Sequence, residues 1–120
     1  MATFSKSVGF ALNGIKQCFK RELHFKVHTV FTILAIAAGF LFSINKTEWI
    51  IISICIAAVL TAELINTAIE ELCNIVYKED HPGIKLVKDL AAGAVLIMAI
   101  AAAISGAVIF IPKIILFINQ

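Results

Sequence analysis

The sequence predicts an all-α membrane protein, and two features of its composition lead to that fold class. Hydrophobic residues make up 61% of the 120 residues, more than a soluble domain of this size can bury, because so much of its volume lies near the surface. These residues form long runs without the alternation typical of barrel strands, so helices are the expected way to satisfy the backbone in lipid. We expect a single domain over residues 1–120.

The first predicted element is an amphipathic helix within residues 1–26. Apolar side chains recur at helical spacing on one side of this segment, and polar side chains take the other. The apolar side holds Phe4, Val8, Ala11, Leu12, Ile15 and Phe19, and the polar side holds Lys6, Asn13, Gln17 and Lys20. We expect this helix to lie in the membrane surface. A solvated leader helix is the alternative.

Three apolar runs predict transmembrane helices over residues 27–44, 49–77 and 86–117. Each approaches or exceeds the ~20 apolar residues that a bilayer requires, and the last two are long enough to protrude. Pro112 lies near the end of the third run and should kink or end that helix.

The basic residues predict the orientation of these helices. Eight of them precede the first span or separate the second from the third: Lys6, Lys16, Lys20, Arg21, Lys26, Lys78, Lys85 and Lys88. Only Lys46 and Lys113 fall on the other side. The positive-inside rule then places the N-terminus and the loop between the second and third spans in the cytoplasm. The net charge of +2 reflects this bias and does not indicate a nucleic-acid partner.

A polar stripe interrupts the second predicted span. Glu63, Asn66 and Glu70 recur at a spacing that places them on one face of a helix. Ionisable groups within a span are expensive and usually mark function. An interhelical hydrogen-bond clamp is the structural alternative, above all for Asn66.

Other charged residues are predicted to meet this stripe at the cytoplasmic boundary. Glu22 and Glu70 both fall there, and two carboxylates suit a hard cation such as Mg²⁺. Lys88 is followed by Asp89 at the start of the last span; Lys88 either contacts a phosphate or extends to the lipid headgroups. No glycine-rich phosphate loop occurs in the sequence, so side chains and metal would have to hold any nucleotide.

Several motifs together resemble the prokaryotic diacylglycerol kinase family, which includes undecaprenol kinases. The strongest are E-x-x-N-x-x-x-E over residues 63–70 and KDLAAGAVL over residues 88–96. They are supported by NGIK at 13–16, ELHFKVH at 22–28 and HP at 81–82. The similarity extends from about Ser7 to Pro112.

The resemblance implies a multi-pass homotrimer of the bacterial inner membrane. It would transfer the γ-phosphate of MgATP to the hydroxyl of a membrane lipid alcohol, at sites between subunits. By similarity, Glu63 is the general base, assisted by Asn66 and Asp89 as organising residues of the catalytic site. Glu22 and Glu70 correspond to the metal ligands. The residues expected near the nucleotide are Lys88, Glu79, His81 and Lys16.

The acceptor lipid stays open between diacylglycerol, whose product is phosphatidic acid, and undecaprenol. His28 stands where the diacylglycerol-acting branch carries an acid, and this residue and the 91–96 segment resemble the undecaprenol-acting branch. Asn74 and Asp80 also depart from the residues common in the family, Asp and Tyr respectively. A small oligomeric transporter is the alternative from another functional class. A transporter should carry its carboxylates near the middle of the membrane, whereas Glu22, Glu70 and Asp89 are predicted to lie at one membrane face.

Overall fold

The computed structural model describes residues 3–120, which form four α-helices. They are α1 (Phe4–Arg21), α2 (Leu23–Leu41), α3 (Lys46–Val76) and α4 (Pro82–Ile118). The helices α2, α3 and α4 are each long and apolar enough to cross a membrane. The predicted all-α class and three candidate spans are therefore confirmed. The first two positions of the predicted 1–26 region lie outside the described residues.

The helix termini differ from the predicted span boundaries because local capping decides where a helix begins. The Asn45 side chain accepts a hydrogen bond from the Glu48 amide at 2.9 Å, and the Glu48 side chain accepts one from the Asn45 amide at 3.1 Å. This capping box starts α3 three residues before the predicted position 49. Likewise α4 starts at Pro82 instead of 86, since His81 caps it and proline suits the first helical turn.

The second helix is also displaced from its predicted range. It begins at Leu23 instead of 27, directly after Glu22, whose extended backbone separates it from α1. It ends at Leu41 instead of 44, and Ser43 in the following turn has a φ of 49°. At the other end of the chain, α4 continues through Pro112 to Ile118, so the helix does not end at that proline.

One end of the bundle is held by a small core and an ion pair. The buried residues Ile44, Ile52 and Ile109 join the turn between α2 and α3 to α4. Beside them, Lys113 Nζ of α4 lies 2.8 Å from Glu48 Oε2 of α3. We call this the clamp end, and the opposite end, which carries Glu22 and the 77–81 segment, the loop end.

The lengths of α3 and α4 place their polar residues relative to a bilayer. At ~1.5 Å per residue, α3 is ~46 Å long and α4 ~56 Å, whereas a hydrocarbon core is ~30 Å thick. Measured from Glu48 in the clamp, Glu63 lies ~23 Å along α3 and Glu70 ~33 Å. Glu63 therefore falls just inside a core that starts at the clamp, and Glu70 falls at its loop-end boundary.

Candidate active site

The end of α1 packs against α3 and brings Glu22 toward the polar stripe. Cys18 is buried and its thiol donates to Thr67 Oγ1 at 3.6 Å. One turn further, Arg21 Nη1 lies 3.7 Å from Glu71 Oε2, between exposed side chains. Burial raises the pKa of the Cys18 thiol; the hydrogen bond with Thr67 lowers it in part, and the carboxylates of Glu22 and Glu63 raise it.

Glu63 is the buried carboxylate of the site, with 4% of its surface exposed. Its Oε1 lies 3.1 Å from Nε2 of His28 on α2. A partner for Glu63 on another helix could not be predicted from the sequence, because the register between α2 and α3 is not visible in either segment alone. The only available signal was that His28 is a polar residue within an apolar run.

Asn66 and Glu70 interact one turn beyond Glu63. The Asn66 Nδ2 donates to Glu70 Oε1 at 3.2 Å, as the i, i+4 spacing allows. The Oδ1 of Asn66 is buried and has no hydrogen-bond partner among residues 3–120. Since buried polar atoms are nearly always paired, Asn66 is available to a donor from outside the described chain.

In the first turns of α4, the side chains of Lys88 and Asp89 have different partners. Lys88 Nζ donates to Asn74 Oδ1 at 2.7 Å, so Lys88 lies beside α3, one turn past Glu70. Asp89 is exposed and pairs with Lys85, with 2.5 Å between Nζ and Oδ2. Asp89 therefore forms its ion pair on its own helix, and no hydrogen bond joins it to the α3 stripe among residues 3–120. Lys16 is likewise exposed, on α1.

The 77–81 segment forms a polar pocket of about 750 Å³ at the loop end. Its lining brings together Glu79, His81 and Lys88, three of the residues predicted near a nucleotide. His81 Nδ1 accepts from the Gly83 amide at 3.0 Å and from the Ile84 amide at 3.4 Å, and its ring packs edge-on against Tyr77. That nitrogen is therefore occupied by the helix cap.

An apolar groove of about 480 Å³ runs between α2, α3 and α4. Phe31, Val59 and Phe110 contribute to its walls, and small residues of α4 such as Ala99 and Gly106 leave it open. His28 belongs to the lining and contacts Glu63. The groove therefore has a polar group, His28, at the point where it approaches the buried carboxylate of Glu63.

The carboxylates form no complete metal cage within the chain. Across residues 3–120, no group of three or more His, Cys, Asp or Glu side chains is arranged to hold a metal ion. A cation bound by Glu22 and Glu70 would therefore take its other ligands from water or substrate. Mg²⁺ commonly binds in that way, through one or two carboxylates and substrate phosphates.

Comparisons with known proteins identify the family. A sequence profile described as prokaryotic diacylglycerol kinase matches residues 9–110. The chain is 37% identical over 110 residues to an undecaprenol kinase of Bacillus subtilis (strain 168), covering 92% of this chain and 89% of that one. It is 32% identical over 107 residues to a diacylglycerol kinase of Synechocystis sp., covering 88% of this chain and 61% of the longer relative. A diacylglycerol kinase of Escherichia coli (strain K12) is 25% identical over 100 residues, which are 83% of this chain and 82% of that one. The chain therefore belongs to the prokaryotic diacylglycerol kinase family and is a multi-pass membrane lipid kinase that uses ATP.

Proposed function

We propose that this kinase phosphorylates a polyprenol of the undecaprenol type at least as efficiently as diacylglycerol. The observation that carries this proposal is the buried Glu63–His28 contact beside an apolar groove. This site, with one polar contact beside an apolar groove, matches a long-chain alcohol, which carries one hydroxyl on an apolar chain. The B. subtilis relative is an undecaprenol kinase, which supports the choice of acceptor.

Glu63 is proposed as the general base. His28 contacts only Oε1 of the carboxylate, so Oε2 is available to a hydroxyl. In the transfer, the lipid oxygen bonds to the γ-phosphorus while the bond to the β–γ bridging oxygen breaks, and ADP leaves. The hydroxyl proton passes to Glu63. Such steps depend mainly on alignment and charge neutralisation.

Glu22 and Glu70 are proposed as the residues that hold Mg²⁺. Asn66 engages only Oε1 of Glu70, and the Glu22 side chain makes no capping hydrogen bond to α2, so both retain oxygen atoms for a hard cation. When bound, Mg²⁺ would neutralise charge on the ATP phosphates. Lys88, held by Asn74, is proposed as a further phosphate contact, with Glu79, His81 and Lys16 near the nucleotide.

We propose that the working unit is a homotrimer with sites between subunits. Asp89 pairs with Lys85 on its own helix, yet it is expected to organise the same site as Glu63. The buried Asn66 Oδ1 without a partner also fits a donor from a neighbouring subunit. The loop end then faces the cytoplasm, where ATP is available, as the distribution of basic residues predicts.

A transporter is the alternative from another class, and the placement of the carboxylates argues against it. Glu70 lies ~33 Å from the clamp along α3 and Asp89 ~36 Å along α4, at or beyond the edge of a ~30 Å core. Transport sites lie near the bilayer midplane. A site at the membrane boundary suits an enzyme that transfers a phosphoryl group from ATP to a membrane lipid.

The test is a radiolabelled-ATP assay with undecaprenol and diacylglycerol offered in the same mixed micelles. We expect labelled product from both lipids, with kcat/KM for undecaprenol equal to or above that for diacylglycerol. Apolar contact along a chain discriminates weakly, whereas a site built to hydrogen-bond glycerol esters would discriminate strongly. A clear preference for diacylglycerol would overturn the proposed acceptor and leave the kinase activity intact.

A further inference from the structure

His28 has no role in the reaction as proposed so far, yet it makes the one side-chain contact that the structure records for Glu63. Its Nε2 lies 3.1 Å from Glu63 Oε1, with 23% of the His28 side chain and 6% of the Glu63 side chain exposed. A buried carboxylate without a partner is costly, so this contact determines how Glu63 is held.

The imidazole of His28 lies between the apolar groove and Glu63. It lines the groove together with Phe31 on its own helix and Val59 on α3. Val59 is buried and lies one turn before Glu63 on the same face. The imidazole therefore has the groove on one side and a carboxylate oxygen on the other.

We propose that His28 is a positioning residue for Glu63. Its Nε2 lies 3.1 Å from Oε1, and an Nε2–H directed at that oxygen would fix the carboxylate with Oε2 turned toward the acceptor hydroxyl. The hydroxyl proton passes to Glu63 as described above, and His28 keeps its own proton throughout. The inference rests on the proposed role of Glu63 as the base. It makes His28 the residue through which α2 contributes to the reaction.

The first test compares three substitutions at His28. Gln keeps an N–H donor at a reach similar to Nε2, Asn keeps the donor but is too short, and Leu removes it. We expect H28L and H28N to lower kcat by about 10²-fold, the typical cost of a misplaced reacting group, with KM for ATP unchanged. H28Q should recover most of kcat. The matched control is H24L, because His24 lies one turn earlier on α2 and is exposed.

Wild-type kcat in H28L would overturn the inference. So would equal kcat in H28Q and H28N when both variants assemble normally. A loss that appears equally in H24L would also contradict it, since His24 does not contact Glu63. Thermal unfolding in detergent verifies assembly for each variant, and the comparison of Gln with Asn remains decisive if H28L does not fold.

The second test asks whether His28 acts through Glu63. If it does, adding H28L to E63Q should cause no further loss of kcat, because the group that His28 positions is already disabled. Multiplicative losses in the double variant would overturn the inference. The same variants distinguish a failure of the proposed base from a failure of this inference. Wild-type turnover in E63Q would show that Glu63 is not the base, whatever His28 does. An inactive E63Q together with a fully active H28L would contradict the role of His28 and leave Glu63 as the base.

Discussion

Three carboxylates of α3 that lie within about two turns of one another occupy different environments. Glu63 is buried beside His28, Glu70 is half-buried and bonded to Asn66, and Glu71 is exposed beside Arg21. Exposed ion pairs contribute little to stability, so Glu71 is a suitable reference for changes at its neighbours.

The metal assignment predicts an altered Mg²⁺ dependence. We expect Glu70→Gln and Glu22→Gln each to raise the Mg²⁺ concentration required for half-maximal activity, because a neutral amide is a weaker ligand for a hard cation. Excess Mg²⁺ should partly restore turnover. The measurement is initial rate against Mg²⁺ at fixed ATP, with Glu71→Gln as the control. An Mg²⁺ dependence identical to wild type in both variants would remove the assignment.

The Cys18 thiol provides a pH-dependent probe of the contact between α1 and α3. Its pKa is raised, chiefly by burial, and the thiolate is the form that reacts. Alkylation of Cys18 should therefore require a higher pH in the folded protein than in the SDS-unfolded chain. A variant with Cys55 and Cys73 replaced by Ala isolates this thiol. Coincident pH profiles for folded and unfolded protein would contradict the packing of α1 on α3.

At the level of helices, the close approach of α2 and α3 near the clamp end depends on Gly39. A Cβ atom at this position would lie 2.6 Å from Trp49 Cη2 and 2.8 Å from Cζ2. Trp49 also packs against Phe40, with ring centroids 4.9 Å apart, so its ring has little room to move.

Gly39→Ala should therefore lower stability by about 1–3 kcal/mol, the usual cost of overpacking. The control is Gly9→Ala on α1, where a Cβ would meet nothing within 4 Å and alanine should favour the helix by roughly 0.5–1 kcal/mol. Thermal midpoints in one detergent give the comparison. Equal midpoints for the two variants would show that α2 and α3 do not approach as described.

The existence of the helices could be predicted from the sequence, but not all of their boundaries. Apolar runs mark where a chain is stable in lipid, so three spans and their order followed from composition. The start of α3 depends on Asn45 and Glu48, which are polar and lie outside the apolar run. The end of α2 depends on the turn at Ser43, which hydrophobicity does not register.

For the whole molecule, the main feature is how little of its apolar surface one chain covers. Large side chains such as Phe31 on α2 and Ile97 on α4 are more than half exposed, and lipid or further subunits must cover them. Together with the buried Asn66 Oδ1, which has no partner among residues 3–120, this exposure supports the proposed trimer with shared sites.

Shared sites predict complementation between inactive subunits. Glu63→Gln and Asp89→Asn should each abolish most activity alone, yet mixed trimers should regain part of it, because some sites would then receive Glu63 from one subunit and Asp89 from the next. The assay is activity after co-refolding at varied ratios, with each variant refolded alone as control. Absence of recovery in verified mixed trimers would contradict a shared site.

The sequence identified the candidate catalytic carboxylate because Glu63 is an ionisable residue in an apolar segment. It could not identify the contact of Glu63 with His28, or that of Lys88 with Asn74, since both depend on how separate helices align. Lys88 and Asp89 are adjacent in the chain but bond to different partners, which the sequence alone does not show.

The most direct test of the proposed chemistry is a comparison of binding and turnover in Glu63→Gln. If Glu63 takes the proton of the lipid hydroxyl, the variant should bind ATP with a Kd close to that of wild type and lose about 10²–10⁴-fold in kcat, the range typical of a general base. Calorimetric ATP titration and single-turnover phosphoryl transfer measure the two quantities on the same preparation. Turnover equal to wild type would contradict the account and leave Glu63 with a packing role.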